Sequence, residues 1–107
     1  PLPFGKKPFL TRWEIDVVKE TCVEKLLDDR PMEFARIHPD LEGKEYRFSY
    51  ILNDGALNNL FKYDFLKDRN EVHHLGEHKK GAEPVFIPKI DQTSEDSGYV
   101  VGFVYDQ

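Results

Sequence analysis

The sequence predicts an all-β chain, about two blades of a β-propeller with antiparallel strands. Three observations carry this. Short apolar runs recur along the 107 residues with turn residues between them, the spacing of a sandwich or propeller. Eight Phe and five Tyr supply side chains that suit a pleated surface. The chain also repeats itself. Trp13-Glu14-Ile15-Asp16 aligns with Phe61-Lys62-Tyr63-Asp64 at a shift of 48, and Glu33–Ile37 aligns with Glu83–Ile87 at a shift of 50. A period of about 40–50 residues is that of a propeller blade. The expectation is one partial domain, residues 1–107, with repeat units at about 10–50 and 58–107.

Strands are expected at Phe9–Asp16, Thr21–Leu27, Glu33–Ile37, Tyr46–Leu52, Asn59–Phe65, Glu71–Leu75, Val85–Pro88 and Tyr99–Tyr105. Val17 to Leu27 is the best helical candidate, because Val18, Cys22, Leu26 and Leu27 would share a face. Thr21-Cys22-Val23 favours extended backbone, so strand is preferred there. Turn residues separate the strands at Asp28-Asp29-Arg30-Pro31, Glu42-Gly43-Lys44, Asn53-Asp54-Gly55, Lys67-Asp68-Arg69-Asn70 and Ser94–Gly98. Tyr46, Phe48, Tyr50 and Leu52 alternate with Arg47, Ser49 and Ile51, which predicts a half-buried strand. Tyr99–Tyr105 is apolar on both faces and predicts burial between stacked sheets.

Composition excludes several classes. Net charge is −5 with scattered acids, and the only basic doublets are Lys6-Lys7 and Lys79-Lys80. That is no footprint for nucleic acid. No run approaches the roughly 18 apolar residues of a membrane-spanning helix. The chain opens on Pro1, read here as a cut end. A single cysteine, Cys22, forms no internal disulfide and points to a reducing, cytoplasmic setting.

Four histidines are present: His38, His73, His74 and His78. On a helix, His74 and His78 would share a face as metal ligands do. On the expected strand, His73 and His74 point to opposite faces and His78 lies beyond Gly76 in a loop. A metal site is therefore not assigned to them, and His38 before Pro39 reads as a turn residue. No nucleophile elbow, phosphate loop or paired-cysteine motif occurs. Glu33 and Glu83 remain, each ahead of an apolar run at equivalent repeat positions. Either they are ordinary surface carboxylates, or both face the propeller axis.

The stretch Leu27-Asp28-Asp29-Arg30-Pro31-Met32-Glu33-Phe34-Ala35-Arg36-Ile37 resembles the D-R-P-x-E-F-P-R-I segment of the carotenoid oxygenases. That family comprises carotenoid, apocarotenoid and stilbene cleavage enzymes and a retinoid isomerase. Gly43-Lys44-x-Tyr46-Arg47-Phe48-x-Tyr50, Lys62-Tyr63-Asp64, Glu83–Pro88, Glu95-Asp96-Ser97-Gly98-Tyr99 and Phe103-Val104-Tyr105-Asp106 follow in the family's order, from about Leu10 to the end. Ala35 stands where proline is usual, and Ser97 where aspartate is.

The resemblance implies a seven-bladed propeller with Fe(II) on its axis, held by four histidines with a position open to O2. Glutamates behind the ligands accept their N–H groups, and Glu33 and Glu83 match two of these. A carboxylate there fixes the imidazole tautomer and direction. The ligands themselves fall outside this segment, so no catalytic or metal-ligating residue is assigned within it and no iron is expected on the chain alone. The implied whole protein would cleave a C=C bond of an apolar polyene or stilbene with O2. It would touch membranes, if at all, through regions outside this segment. The isolated chain is expected to be inactive and prone to self-association, because its blade faces lack neighbours. The alternative is a non-enzymatic propeller or sandwich binding module, or a degenerate fragment.

Overall fold

A computed structural model describes residues 6–107. Its described residues form strands and one short 3-10 turn, Pro39–Leu41. The strands are β1 (Phe9–Asp16), β2 (Thr21–Arg36), β3 (Phe48–Asn53), β4 (Asn59–Asp64), β5 (Arg69–His74), β6 (Lys79–Gly81), β7 (Val85–Pro88), β8 (Gly98–Val101) and β9 (Val104–Asp106). β1 to β5 form one antiparallel meander in sequence order, while β7 pairs with β8 and β6 with β9. The all-β, antiparallel expectation holds.

The layout is that of two blades' worth of strands, divided unevenly. β2 serves two sheets. Its first half pairs with β1, from Asp16↔Thr21 to Thr11↔Leu26. Its second half pairs with β3 through Met32↔Asn53, Glu33↔Leu52 and Arg36↔Tyr50. The second half of β2 with β3, β4 and β5 makes one complete four-stranded blade. β1 with the first half of β2 flanks it on one side and β7–β8 on the other.

The core explains the order. One face of the complete blade carries Met32, Ile51, Phe61 and Tyr63, against which Leu10 of β1 packs. The other carries Phe48 and Tyr50, which meet Phe86 of β7. Tyr50 and Phe86 stack with centroids 5.2 Å apart and planes 3° from parallel. Each flanking strand pair thus covers one face of the central sheet. Burying aromatic rings this way is the largest stabilising contribution available to so thin an assembly.

Several expectations change. β6 has no counterpart among the expected strands, β5 begins at Arg69 inside the expected turn, and β3 begins at Phe48, not Tyr46. Three further differences have a clear cause. Asp28–Pro31 is extended, not a turn, because distant side chains capture it. The Arg30 guanidinium donates to Asp28 in two contacts of 3.0 and 2.7 Å, lies 4.6 Å from the Phe61 ring centroid, and the Tyr63 hydroxyl donates to Asp28. The Phe61 and Tyr63 contacts come from another strand, so the segment's own residues do not reveal them. β3 is buried on both faces from Phe48 to Leu52, since both flanking pairs pack on it. The run Tyr99–Tyr105 is the reverse: it splits at Gly102-Phe103 into β8 and β9, and Tyr99, Phe103 and Tyr105 are exposed. No described strand lies against their outer side.

Candidate functional site

The two repeated glutamates lie on β2 and just ahead of β7. Glu33 lies inside β2 and is partly buried, and Glu83 stands two residues before β7 and is exposed. What aims Arg36 at Glu83 is a β-bulge after Glu33. Between Glu33↔Leu52 and Arg36↔Tyr50, β2 advances three residues while β3 advances two. The extra residue is accommodated at Phe34, whose φ of 60° lies in the left-handed region. A side chain in that region costs roughly 1–2 kcal/mol, and bulges of this kind re-aim side chains next to functional sites.

The consequence is geometric. In a regular strand, residues three apart face opposite sides. Here Glu33 and Arg36 oppose Leu52 and Tyr50, which share a face, so the bulge brings Arg36 to the face that Glu33 occupies. It is the face that meets β7. Arg36 uses the placement: its Nη1 donates to Glu83 Oε1 at 2.8 Å. The Arg36 carbonyl is held in turn by the buried Ser49, whose hydroxyl donates to it at 3.0 Å. Among the described residues, neither the Glu33 carboxylate nor Glu83 Oε2 has a hydrogen-bond donor in contact.

Energetics argue that this geometry is not there for stability. The Arg36–Glu83 pair has one contact and side chains 35% and 49% exposed, a class worth about 0–1 kcal/mol. The strain at Phe34 is at least comparable. The pair and the bulge together are close to neutral for folding.

The loop between β7 and β8 anchors the same seam. The Glu95 carboxylate accepts the backbone N–H of Arg47 at 2.9 and 2.8 Å and of Phe48 at 2.7 Å. Lys62 donates to Asp96 at 2.6 Å, and this holds the Asp96 carboxyl below the usual carboxylate range. His38 is buried against Phe86, ring centroids 5.1 Å apart. Its Nδ1 accepts the Asp40 N–H at 3.1 Å, so Nε2 carries the proton and donates to Gln92 Oε1 at 3.2 Å. Local sequence showed His38 only as a turn residue; its burial comes from the neighbouring blade.

The other histidines are peripheral. His73 and His74 lie on β5, and His74 Nδ1 is 2.9 Å from Asn59 Oδ1. His78 takes a positive φ of 60° in the turn before β6. Among the described residues no three His, Cys, Asp or Glu side chains converge as a metal ion requires. Glu33 and Glu83 suit a different task. Among the described residues the Glu33 carboxylate and Glu83 Oε2 are acceptors without a donor, and Glu83 Oε1 is taken by Arg36. Sequence reasoning missed Arg36 as a partner of Glu83, since 47 residues separate them. Its place within the repeated Glu-containing segment was the one available signal.

Comparison with known proteins covers nearly the whole chain. The family model described as "RPE65: Retinal pigment epithelial membrane protein" matches residues 3–107. The carotenoid cleavage oxygenase of Mycobacterium tuberculosis is 30% identical over 107 residues, 91% of this chain and 21% of the relative. The apocarotenoid-15,15'-oxygenase of Synechocystis is 26% identical over 102 residues, 90% of this chain and 21% of the relative. A crystal structure of the cobalt-substituted Synechocystis enzyme superposes with a TM-score of 0.84 at 26% identity, over 92% of this chain and 22% of that one. The chain therefore spans about a fifth of the length of the relatives it matches.

Proposed function

The chain belongs to the carotenoid oxygenase (RPE65) family, and from that premise we propose that it is a segment of a non-haem Fe(II)-dependent dioxygenase. The whole protein would be a seven-bladed propeller cleaving a C=C bond of a carotenoid, apocarotenoid or stilbene. Relatives named as carotenoid and apocarotenoid oxygenases support the substrate class. The cobalt-substituted Synechocystis structure supports a divalent metal site. Bound Fe(II) would supply the position at which O2 is activated.

The observation that carries this reading for the chain's own residues is the placement of Glu33 on β2 and Glu83 just ahead of β7, with the Glu33 carboxylate and Glu83 Oε2 free of donors among the described residues. Each would accept the N–H of a histidine whose other ring nitrogen faces the metal. That hydrogen bond selects the tautomer, fixes the ring plane and adds negative charge behind a neutral ligand. The segment would therefore orient ligands without binding the metal directly. Substrate and O2 would meet mostly other parts of the propeller. The exposed Cys22 suits a reducing, cytoplasmic location.

The test uses the full-length protein that carries this segment. Glu33→Gln and Glu83→Gln should each lower iron content and cleavage of an apocarotenoid or stilbene by about 10–100-fold. Unchanged iron content in both variants would remove the assigned role. The 107-residue chain alone should take up Fe(II) no better than a surface bearing scattered histidines. A tight one-to-one site in titration calorimetry would contradict that.

A further inference from the structure

We infer that Arg36 is a positioning residue for Glu83, aimed by the bulge at Phe34, and that it holds Oε1 so that Oε2 is presented to a histidine N–H. The inference rests on the proposed role of Glu83 and goes one step behind it. Glu83 precedes β7 and is exposed, so neither its backbone nor its surroundings restrict the carboxylate plane. Its one side-chain hydrogen bond among the described residues is the 2.8 Å contact from Arg36 Nη1. A flexible glutamate with one oxygen captured can rotate only about that contact. Its second oxygen becomes a directed acceptor rather than one of two equivalent ones.

The geometry that allows this is specific. Arg36 reaches Glu83 because one residue too many lies between the Glu33 and Arg36 pairings. In an unbulged register Arg36 would oppose Ser49, on the Ile51 side of the sheet away from β7. Its backbone carbonyl is held by Ser49, a buried hydroxyl with no other hydrogen bond among the described residues. The single bulge therefore puts Arg36 on the face that Glu33 already occupies through its regular pairing with Leu52, and delivers the guanidinium that orients Glu83.

The experiment is a double-mutant cycle on the full-length protein, read as resistance of bound iron to a competing chelator, with the urea midpoint measured in parallel. Arg36→Ala should weaken iron retention by about tenfold, with little change in the midpoint. Arg36→Lys, which restores charge without the planar fork, should recover only part of the loss. Arg36→Ala added to Glu83→Gln should cause no further loss, while added to Glu33→Gln it should act independently. Retention untouched by Arg36→Ala, while Glu83→Gln lowers it, would overturn the positioning role and leave the role of Glu83 standing. If neither glutamate variant affects retention, both readings fall. A loss that tracks the urea midpoint would mark Arg36 as merely structural and likewise overturn the proposal.

Discussion

The Glu95 carboxylate closes the first turn of the seam by accepting the Phe48 N–H at 2.7 Å, at the point where β3 begins. The same carboxylate takes the Arg47 N–H, so two otherwise unpaired backbone donors are satisfied by one side chain from the next blade. Charge-assisted bonds of this kind are worth about 1.5–3 kcal/mol. Glu95→Ala should lower unfolding free energy by about 2–3 kcal/mol in urea titration. A change within experimental error would show that water replaces the carboxylate at no cost.

Gly98 opens β8 with no room for a side chain. A Cβ there would run into the Ile87 carbonyl oxygen and lie 2.6 Å from Phe86 Cζ and 2.9 Å from Pro88 Cα. The crowding atoms are backbone and the central ring of the seam, so neither yields cheaply. Gly98→Ala should destabilise by about 2–3 kcal/mol, visible as a lower urea midpoint. An unchanged midpoint would mean that β7 and β8 separate freely.

Phe86 is the one fully buried residue of the β7–β8 pair and stacks on Tyr50. Phe86→Ala should cost about 3–5 kcal/mol. Hydrogen exchange should show β7 and β8 losing protection while β3 and β4 keep theirs, because the latter retain the Met32–Ile51–Phe61–Tyr63 cluster. Uniform loss across all strands would indicate a single cooperative unit.

At Phe34 the left-handed backbone favours glycine over branched side chains. Phe34→Val should be less stable than Phe34→Gly by about 1–2 kcal/mol, although Val retains more apolar surface. The comparison is made by thermal melting. The opposite order would show that the bulge relaxes when the ring is removed.

Acid should open the structure at the Asp-anchored contacts. The Arg30 guanidinium holds Asp28 down to about 2 from its ordinary 3.8, and Arg47 and Lys62 lower Asp64 and Asp96. A lowered folded pKa contributes stability that is fully present above the unfolded value and is lost as pH falls through the folded one. Stability should therefore fall from about pH 4 toward pH 2, on the order of 1–2 kcal/mol from Asp28 after allowance for solvent screening. Asp28→Asn should flatten that part of the profile. A profile insensitive to the substitution would remove Asp28 as its source.

Much of the fold was legible locally. β1 and β7 fall where the local pattern puts them, since those signals act within a few residues. The repeat located both glutamates for the same reason: recurrence is visible in one dimension. The continuity of β2 through Asp28–Pro31 was not legible, because Tyr63 and Phe61 hold that stretch from another strand. Nor was the bulge, since Phe34 carries no mark of a left-handed residue.

By itself the sequence determined the strand chemistry, the blade period and the two carboxylates at equivalent places, all properties of neighbouring residues. Tertiary structure decided which faces those residues occupy. Burial of β3 on both sides, the exposure of β8 and β9, and the Arg36–Glu83 contact depend on which strand pair packs against which face. A one-residue insertion at Phe34 reverses side-chain direction without altering the hydrophobic pattern, so facing in this chain is a property of register, which pairing with a distant strand sets.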